Sequence, residues 1–137
     1  MRLLASTDLA LRVLILLGAE APDRHVSVEQ LARRLGDVSR HHLHKIVQDL
    51  AALDAVRTLR GAAGGVRLAQ PPAGIRLGTL VRALEADQAI VACFRLDGGD
   101  CTLAPTCRLR GMLGRARESF FQSLDAQTLA DCLPVPG

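Results

Sequence analysis

Residues 27–68 read SVEQLARRLGDVSRHHLHKIVQDLAALDAVRTLRGAAGGVRL, and the punctuation of this stretch decides the fold. Ser27-Val28-Glu29-Gln30 has the form of a capping box, in which a Ser and a Gln three residues on satisfy each other's free backbone amides. Leu31 and Leu35 carry a short helix to Gly36. Ser39 then caps a second helix to about Leu53, with Leu43, Ile46, Val47 and Leu50 on one face. Two short helices joined by the turn Gly36-Asp37-Val38-Ser39 predict a helix-turn-helix. Two β-prone runs follow, Val56–Leu59 and Val66–Leu68, around the Gly-rich tip Arg60-Gly61-Ala62-Ala63-Gly64-Gly65, which predicts a hairpin. A hairpin directly after a helix-turn-helix is the wing of a winged helix.

Outward from this centre the chain is mostly helical. Asp8–Ala19 is apolar on most sides and predicts a largely buried helix, stopped by Ala21-Pro22-Asp23. Pro71-Pro72 closes the wing, and Leu77–Leu84 predicts another short helix. From Pro105 the pattern is helical again, with Leu109, Met112, Leu113, Ala116, Phe120 and Leu124 forming an apolar stripe opposite Arg108, Arg115 and Arg117. So wide a stripe, so far from the amino-terminal core, needs a partner surface. A second copy of the chain is preferred, because DNA readers of this size usually act as two-fold dimers; the alternative is folding back on its own core. The expected fold is mainly α with a small β-hairpin wing: a winged helix-turn-helix plus a long C-terminal dimerisation helix. Residues 1–85 form the DNA-binding region, 86–107 a cysteine loop and 105–131 the dimerisation helix and tail, all within one compact domain. Residues 134–137 are expected to fray.

Composition bounds the function. At 137 residues there is chain for one core. Leu and Ala dominate, with no Trp, no Tyr and three Phe, which favours helix over strand. The net charge of +3 permits nucleic-acid binding without proving it, so the arginine and lysine clusters decide the point. Met1-Arg2 is not followed by a signal-peptide pattern, and the most apolar run, Val13–Leu17, is too short to span a bilayer. A cytoplasmic protein with no membrane partner is expected.

The outer face of the second helix carries Ser39, Arg40, His41, His42, His44, Lys45 and Gln48. Donors at the amino end of such a helix reach base edges when it enters the major groove. Arg57, Arg60 and Arg67 on the hairpin would meet phosphate or the minor groove, and Gly64-Gly65 would let backbone approach the duplex. Arg33, with Arg34, closes the preceding helix within reach of phosphate. A merely solvated basic face is the bland alternative, and the order of capped helix, tight turn, basic helix and Gly-tipped basic hairpin argues against it. Metal binding by the histidines is weaker still: His41 and His42 are adjacent and cannot share one helix face, which leaves only His41 with His44.

Cys93, Cys101 and Cys107 lie on one loop, CFRLDGGDCTLAPTC, in a chain with four cysteines. In a reducing compartment such a group is metal-binding or redox-sensing rather than a disulfide framework. The gaps of seven and five residues are wider than the tight knuckles of zinc sites and suit a larger inorganic core, an iron–sulfur cluster. Cys107 falls in the first turn of the long helix, whose positive end favours thiolate. Three thiolates leave a four-iron cluster one ligand short, and Asp97, Asp100 or a dimer partner are candidates for it. A structural zinc site and metal-free cysteines remain open, and Cys132 reads as a bystander. A small thiol redox enzyme or metal carrier is the reading from another class. It lacks a CxxC motif and leaves the basic helix and wing unexplained, so no enzyme activity is expected.

The residues resemble the Rrf-two family of bacterial winged-helix regulators, and within it the nitric-oxide-sensing NsrR-like branch. The matching segments are STDLALRVL, VSRHHLHKIVQDLAAL, RGAAGGVRLAQPP, IRLGTLVRALE and the three-cysteine loop running into LRGMLGRARESFFQSLDAQTLAD. The resemblance implies that Cys93, Cys101 and Cys107 ligate a cluster, 4Fe-4S rather than 2Fe-2S, and that Asp8 supplies the oxygen ligand across the dimer; an ordinary helix cap is the other reading of Asp8. It also implies a homodimer on a palindromic promoter site in duplex DNA, a repressor when loaded, released by nitric oxide. Regulators of the same fold tuned to iron–sulfur supply or redox stress share these features. Two positions depart from the family pattern: the first cysteine gap is longer, with Gly98-Gly99 as an extra bulge, and Leu53-Asp54-Ala55 lacks the glycine common before the wing, where Asp tolerates the turn.

Overall fold

A computed structural model describes residues 1–62, 64–103 and 106–135. Among these described residues five helices and one hairpin follow in the order α1 (Ala5–Gly18), α2 (Val28–Arg34), α3 (Arg40–Ala52), β1 (Val56–Leu59), β2 (Gly65–Leu68), α4 (Leu77–Leu84) and α5 (Arg108–Asp125). Short 3-10 turns occupy Pro72–Gly74, Ala92–Phe94 and Leu129–Cys132.

The local signals act as the sequence predicts. Ser27 Oγ accepts from Gln30 N at 3.1 Å, and Gln30 Oε1 accepts from Ser27 N at 3.1 Å, so the capping box of α2 is complete. Ser39 Oγ accepts from His42 N at 3.4 Å and starts α3. Between the two helices the chain reverses through positive φ at Gly36 (86°) and Asp37 (60°). Asp54 at φ 57° makes the turn into the wing, since Asp tolerates the left-handed region.

The core gathers the inner faces of α1, α2 and α3, from Val13, Leu14, Leu31, Leu43 and Leu50, beneath the wing residues Val56 and Val66. The hairpin is antiparallel, with Val56 opposite Leu68 and Leu59 opposite Gly65. A third short segment joins it. Val26 N donates to Val66 O and Val66 N to Val26 O, both at 2.8 Å, which ties the wing to the residue just before the cap of α2. Gly65 permits this at φ 154°, because a Cβ there would lie 2.6 Å from Val26 O. The paired glycines therefore have a packing reason inside the molecule, whatever they do at a duplex. Ala63, at the wing tip, lies outside the described residues.

The carboxyl-terminal region differs from the expectation in two respects. α5 begins at Arg108, so Cys107 is its N-cap rather than a residue of its first turn; Pro105 lies outside the described residues. Its buried residue is Phe121, which the periodic stripe did not include, 4% exposed and turned towards α4. Arg117 was expected opposite the apolar stripe. Its guanidinium instead lies 5.0 Å from the Phe121 ring centre, and Arg82 covers the same ring at 4.6 Å. The physical cause is Gly78 on α4, where a Cβ would stand 2.7 Å from Asp125 N and against the Phe121 carbonyl. Without a side chain there, the two backbones close up. Thr79 N then donates to Asp125 Oδ1 at 2.7 Å, and Arg82 makes a two-pronged pair with Glu118 at 2.7 and 2.8 Å. Those hydrogen bonds hold the Glu118 carboxyl below the ordinary carboxylate range, against a smaller opposing effect of desolvation.

After α5 the chain returns to the core. Leu77 N donates to Gln127 O at 3.2 Å, Leu129 N to Ile75 O at 2.9 Å, and Leu129 is fully buried. The carboxyl half of α5 thus folds back on its own chain. Its amino half does not: Leu109 is 57% and Met112 51% exposed.

Candidate nucleic-acid interface and cysteine loop

The amphipathic period of α3 turns Leu43, Ile46, Val47 and Leu50 inward and leaves Arg40, His41, His42, His44, Lys45 and Gln48 exposed on the outer face, beside the exposed cap residue Ser39. Every α3 residue expected at DNA is therefore available at the surface. Arg60 and Arg57 on the wing are exposed, and Arg67 is half-buried. Arg33 and Arg34 are exposed at the end of α2.

Several of these cations are already paired. Arg40 Nη2 donates to Glu29 Oε1 at 2.6 Å, and Arg33 Nη2 reaches the same oxygen at 3.4 Å. Lys45 pairs with Asp49 at 2.7 Å, and Arg34 with Glu20 at 2.7 Å. All involve exposed cations, where an ion pair contributes little to folding. The sequence marks Glu29 only as part of a cap, and its tie to Arg40 was missed there. The available signal was its place one turn ahead of Arg33, at the start of a helix whose partner begins with Arg40.

The cysteine loop runs from the 3-10 turn Ala92–Phe94 to the N-cap of α5. Cys93 and Cys107 are half-buried, and Cys101 is exposed. Gly98 (φ 80°) and Gly99 (φ 62°) make the expected bulge, and Asp97 Oδ1 closes it by accepting from Gly99 N at 2.9 Å. Asp97 is thereby engaged, and it also pairs with Arg95. The loop rests on α5 through Phe94, whose ring lies 5.4 Å from the Arg110 guanidinium. No side-chain hydrogen bond caps α5, so the Cys107 thiol stands at the positive helix end without a capping duty.

Among the described residues, no group of three or more His, Cys, Asp or Glu side chains lies close enough together to hold a metal ion. The donor chemistry fits a thiolate-bound centre, three sulfurs on one loop with one at a helix amino end. The single chain does not gather them in this conformation. Asp8 is exposed in the first turn of α1 and does not cap it. Its two oxygens accept from Arg12, Oδ2 from Nη2 at 2.8 Å and Oδ1 from Nε at 3.2 Å. Cys132 is exposed, with its Sγ 3.9 Å from Thr128 O.

Glu85 is a second residue missed from sequence. It is buried at the end of α4, and its Oε1 accepts from Leu4 N at 2.6 Å, which clamps the start of α1 to the segment leading into the cysteine loop. No local pattern pointed to it, because its partner is a backbone amide far away in the chain.

A capped two-helix reader with a basic outer face, braced by a wing, defines a DNA-binding regulator of the winged-helix class. No described helix is long and apolar enough to cross a membrane. Comparison with known proteins narrows the class. The family described as "Rrf2: Iron-dependent Transcriptional regulator" matches residues 3–134, and the chain belongs to that family. It is 44% identical over 133 residues to the HTH-type transcriptional regulator NsrR of Geobacillus kaustophilus (97% of this chain, 90% of that protein). To the NsrR of Bacillus subtilis it is 39% identical over 131 residues (96% and 89%). Among solved structures it superposes on CymR, the global cysteine regulator of B. subtilis, with a TM-score of 0.72 at 26% identity, covering 96% of this chain and 95% of that one. T. potens IscR gives a TM-score of 0.72 at 23% identity, covering 96% and 85%, a likeness of fold.

Proposed function

We propose that this chain is a cytoplasmic transcriptional repressor that binds a palindromic promoter site as a homodimer, under the control of an iron–sulfur cluster that responds to nitric oxide. Ser39, Arg40, His41, His42, Lys45 and Gln48 would enter the major groove, with Arg60 and Arg33 on the flanking backbone. The observation that carries the reading is one of connection: the three-cysteine loop is the link between the winged helix and α5. Whatever orders that loop bears on the free amino half of α5, the part that would carry the second copy, while the carboxyl half stays packed on α4.

The exposed Leu109 and Met112 at the free end of α5 support a second copy as partner. Cys93, Cys101 and Cys107 would hold the cluster, 4Fe-4S by the ligand count, and Asp8 of the second chain would bring the oxygen ligand by leaving Arg12. When bound, the cluster would supply an iron centre able to react with nitric oxide. The relatives named NsrR, together with the words "iron-dependent" in the family description, support this reading above a structural zinc site.

Iron and acid-labile sulfide analysis of anaerobically purified protein, with gel-shift titration before and after nitric oxide, tests it. Stoichiometric iron and sulfide, abolished binding after nitric oxide and no chromophore in any of the three Cys→Ala variants are expected. Stoichiometric zinc without sulfide would replace the sensor with a structural metal site.

A further inference from the structure

Two carboxylates stand among the cations of the proposed DNA face, Asp49 beside Lys45 and Glu29 beside Arg40, and Glu29 is the one that two arginines share. Glu29 is the second residue of α2, exposed, and its Oε1 takes both Arg40 Nη2 at 2.6 Å and Arg33 Nη2 at 3.4 Å. A carboxylate at that place repels phosphate and weakens every duplex alike. An exposed ion pair returns little to folding in exchange. The cap of α2 does not need it either, since Ser27 and Gln30 already complete the capping box. What Glu29 does accomplish is to fix the direction of one guanidinium.

Arg40 is the first residue of α3, and donors at the amino end of a recognition helix are the ones that meet base edges. Its guanidinium carries five N–H donors in a planar fork with two usable edges. Arg40 is anchored through Nη2 alone, and no other side-chain hydrogen bond engages it among the described residues. Each of the two Nη2 hydrogens belongs to a different edge of the fork. Whichever one Glu29 takes, the other edge keeps both its donors in parallel. Two parallel donors are what the O6 and N7 acceptors of guanine require.

We propose that Glu29 is a positioning residue for base recognition: it holds Arg40 across the turn between α2 and α3 so that one intact edge of the fork is presented to a guanine. This rests on Arg40 reading a base, as in the function proposed above. The long, flexible arginine is thereby ordered before it meets DNA, so less rotamer freedom is lost on binding the correct base. At a wrong base the same anchor prevents Arg40 from swinging to a nearby phosphate, and the carboxylate adds repulsion.

The experiment is selection of duplexes from a random pool by the wild-type protein, followed by binding titrations of single-base variants of the selected site. Glu29→Gln, Arg40→Ala and the double variant are compared, with melting curves to confirm equal folding. Glu29→Gln should tighten binding to random duplex, and preference should fall about tenfold at one guanine position only. Arg40→Ala should flatten that same position, and the double variant should be no flatter than Arg40→Ala alone. A Glu29→Gln protein that keeps its full preference while Arg40→Ala loses it overturns the inference and leaves Arg40 as the reader. If Arg40→Ala flattens no position, the reading of Arg40 fails, and the role of Glu29 with it. A uniform loss across all positions in Glu29→Gln makes Glu29 a support of the helix pair and also overturns the proposal.

Discussion

Gly65→Ala tests whether the wing is held as the structure indicates. The new Cβ would stand 2.6 Å from Val26 O and 2.7 Å from Val26 C, both backbone atoms that cannot rotate away. The residue also sits at φ 154°, which side-chain-bearing residues rarely adopt. Relief requires β2 to move off Val26, breaking the two 2.8 Å hydrogen bonds between Val26 and Val66. Each such bond contributes about 1 kcal/mol net. Holding Ala in the strained conformation instead costs about 1–3 kcal/mol. By either route the loss is roughly 2–3 kcal/mol, a fall in melting temperature on the order of 10 °C for a chain of this size. The wing carries Arg57 and Arg60, so a displaced wing should also lower the salt dependence of DNA binding, by roughly 0.9 for each phosphate that these arginines no longer reach. Thermal melting by circular dichroism and binding titrations at several salt concentrations measure both effects. A variant that melts within about 2 °C of the wild type with an unchanged salt slope would refute the argument, because Val26 would then not constrain the wing.

Other perturbations separate the remaining elements. Lys45→Ala should weaken operator binding by about 1–3 kcal/mol, as expected of a base contact in the major groove; an equal loss on operator and random duplex with the salt slope reduced by about 1 would make Lys45 a phosphate contact instead. Leu109→Glu or Met112→Glu, both at exposed positions, should leave the fold intact and convert a dimer to monomer in sedimentation velocity; a wild type that is monomeric at micromolar concentration contradicts the dimer. The Glu118 carboxyl is held below its ordinary range by Arg82, so its contribution to the packing of α4 on α5 is full above the unfolded carboxylate pKa and is lost as pH falls through the folded one. Melting curves of Glu118→Gln should therefore differ from wild type near neutral pH and converge with it in acid, and a constant difference down to pH about 3 would remove the pair from the account. Cys132→Ala should leave any visible chromophore unchanged, since that thiol lies beyond α5 and off the loop.

The winged helix was legible from the sequence because its signals are short-ranged. A cap acts over three residues, a turn over four, and the apolar period of α3 repeats within a single helix. Ser27, Ser39, Leu43 and Asp54 each do in the structure what their neighbours implied. The α3 candidates could be read for the same reason: a residue off the apolar face of a short helix has nowhere to go but the surface. Residue type and spacing marked the cysteine loop as a candidate set of metal donors, but its geometry was not legible from them.

Tertiary structure decided the rest. The periodicity of α5 offers more than one apolar face, and only Gly78 on α4, far away in the chain, selects Phe121 for burial and leaves Leu109 and Met112 outside. Glu85 meets the Leu4 amide, and Glu29 meets Arg40, through folding rather than through any local pattern. Leu129 is buried by its return to Ile75, a pairing between distant segments that no periodicity announces. Period and capping are written within one helical turn. Which of two faces is buried depends on the shape of a surface that the chain itself builds elsewhere.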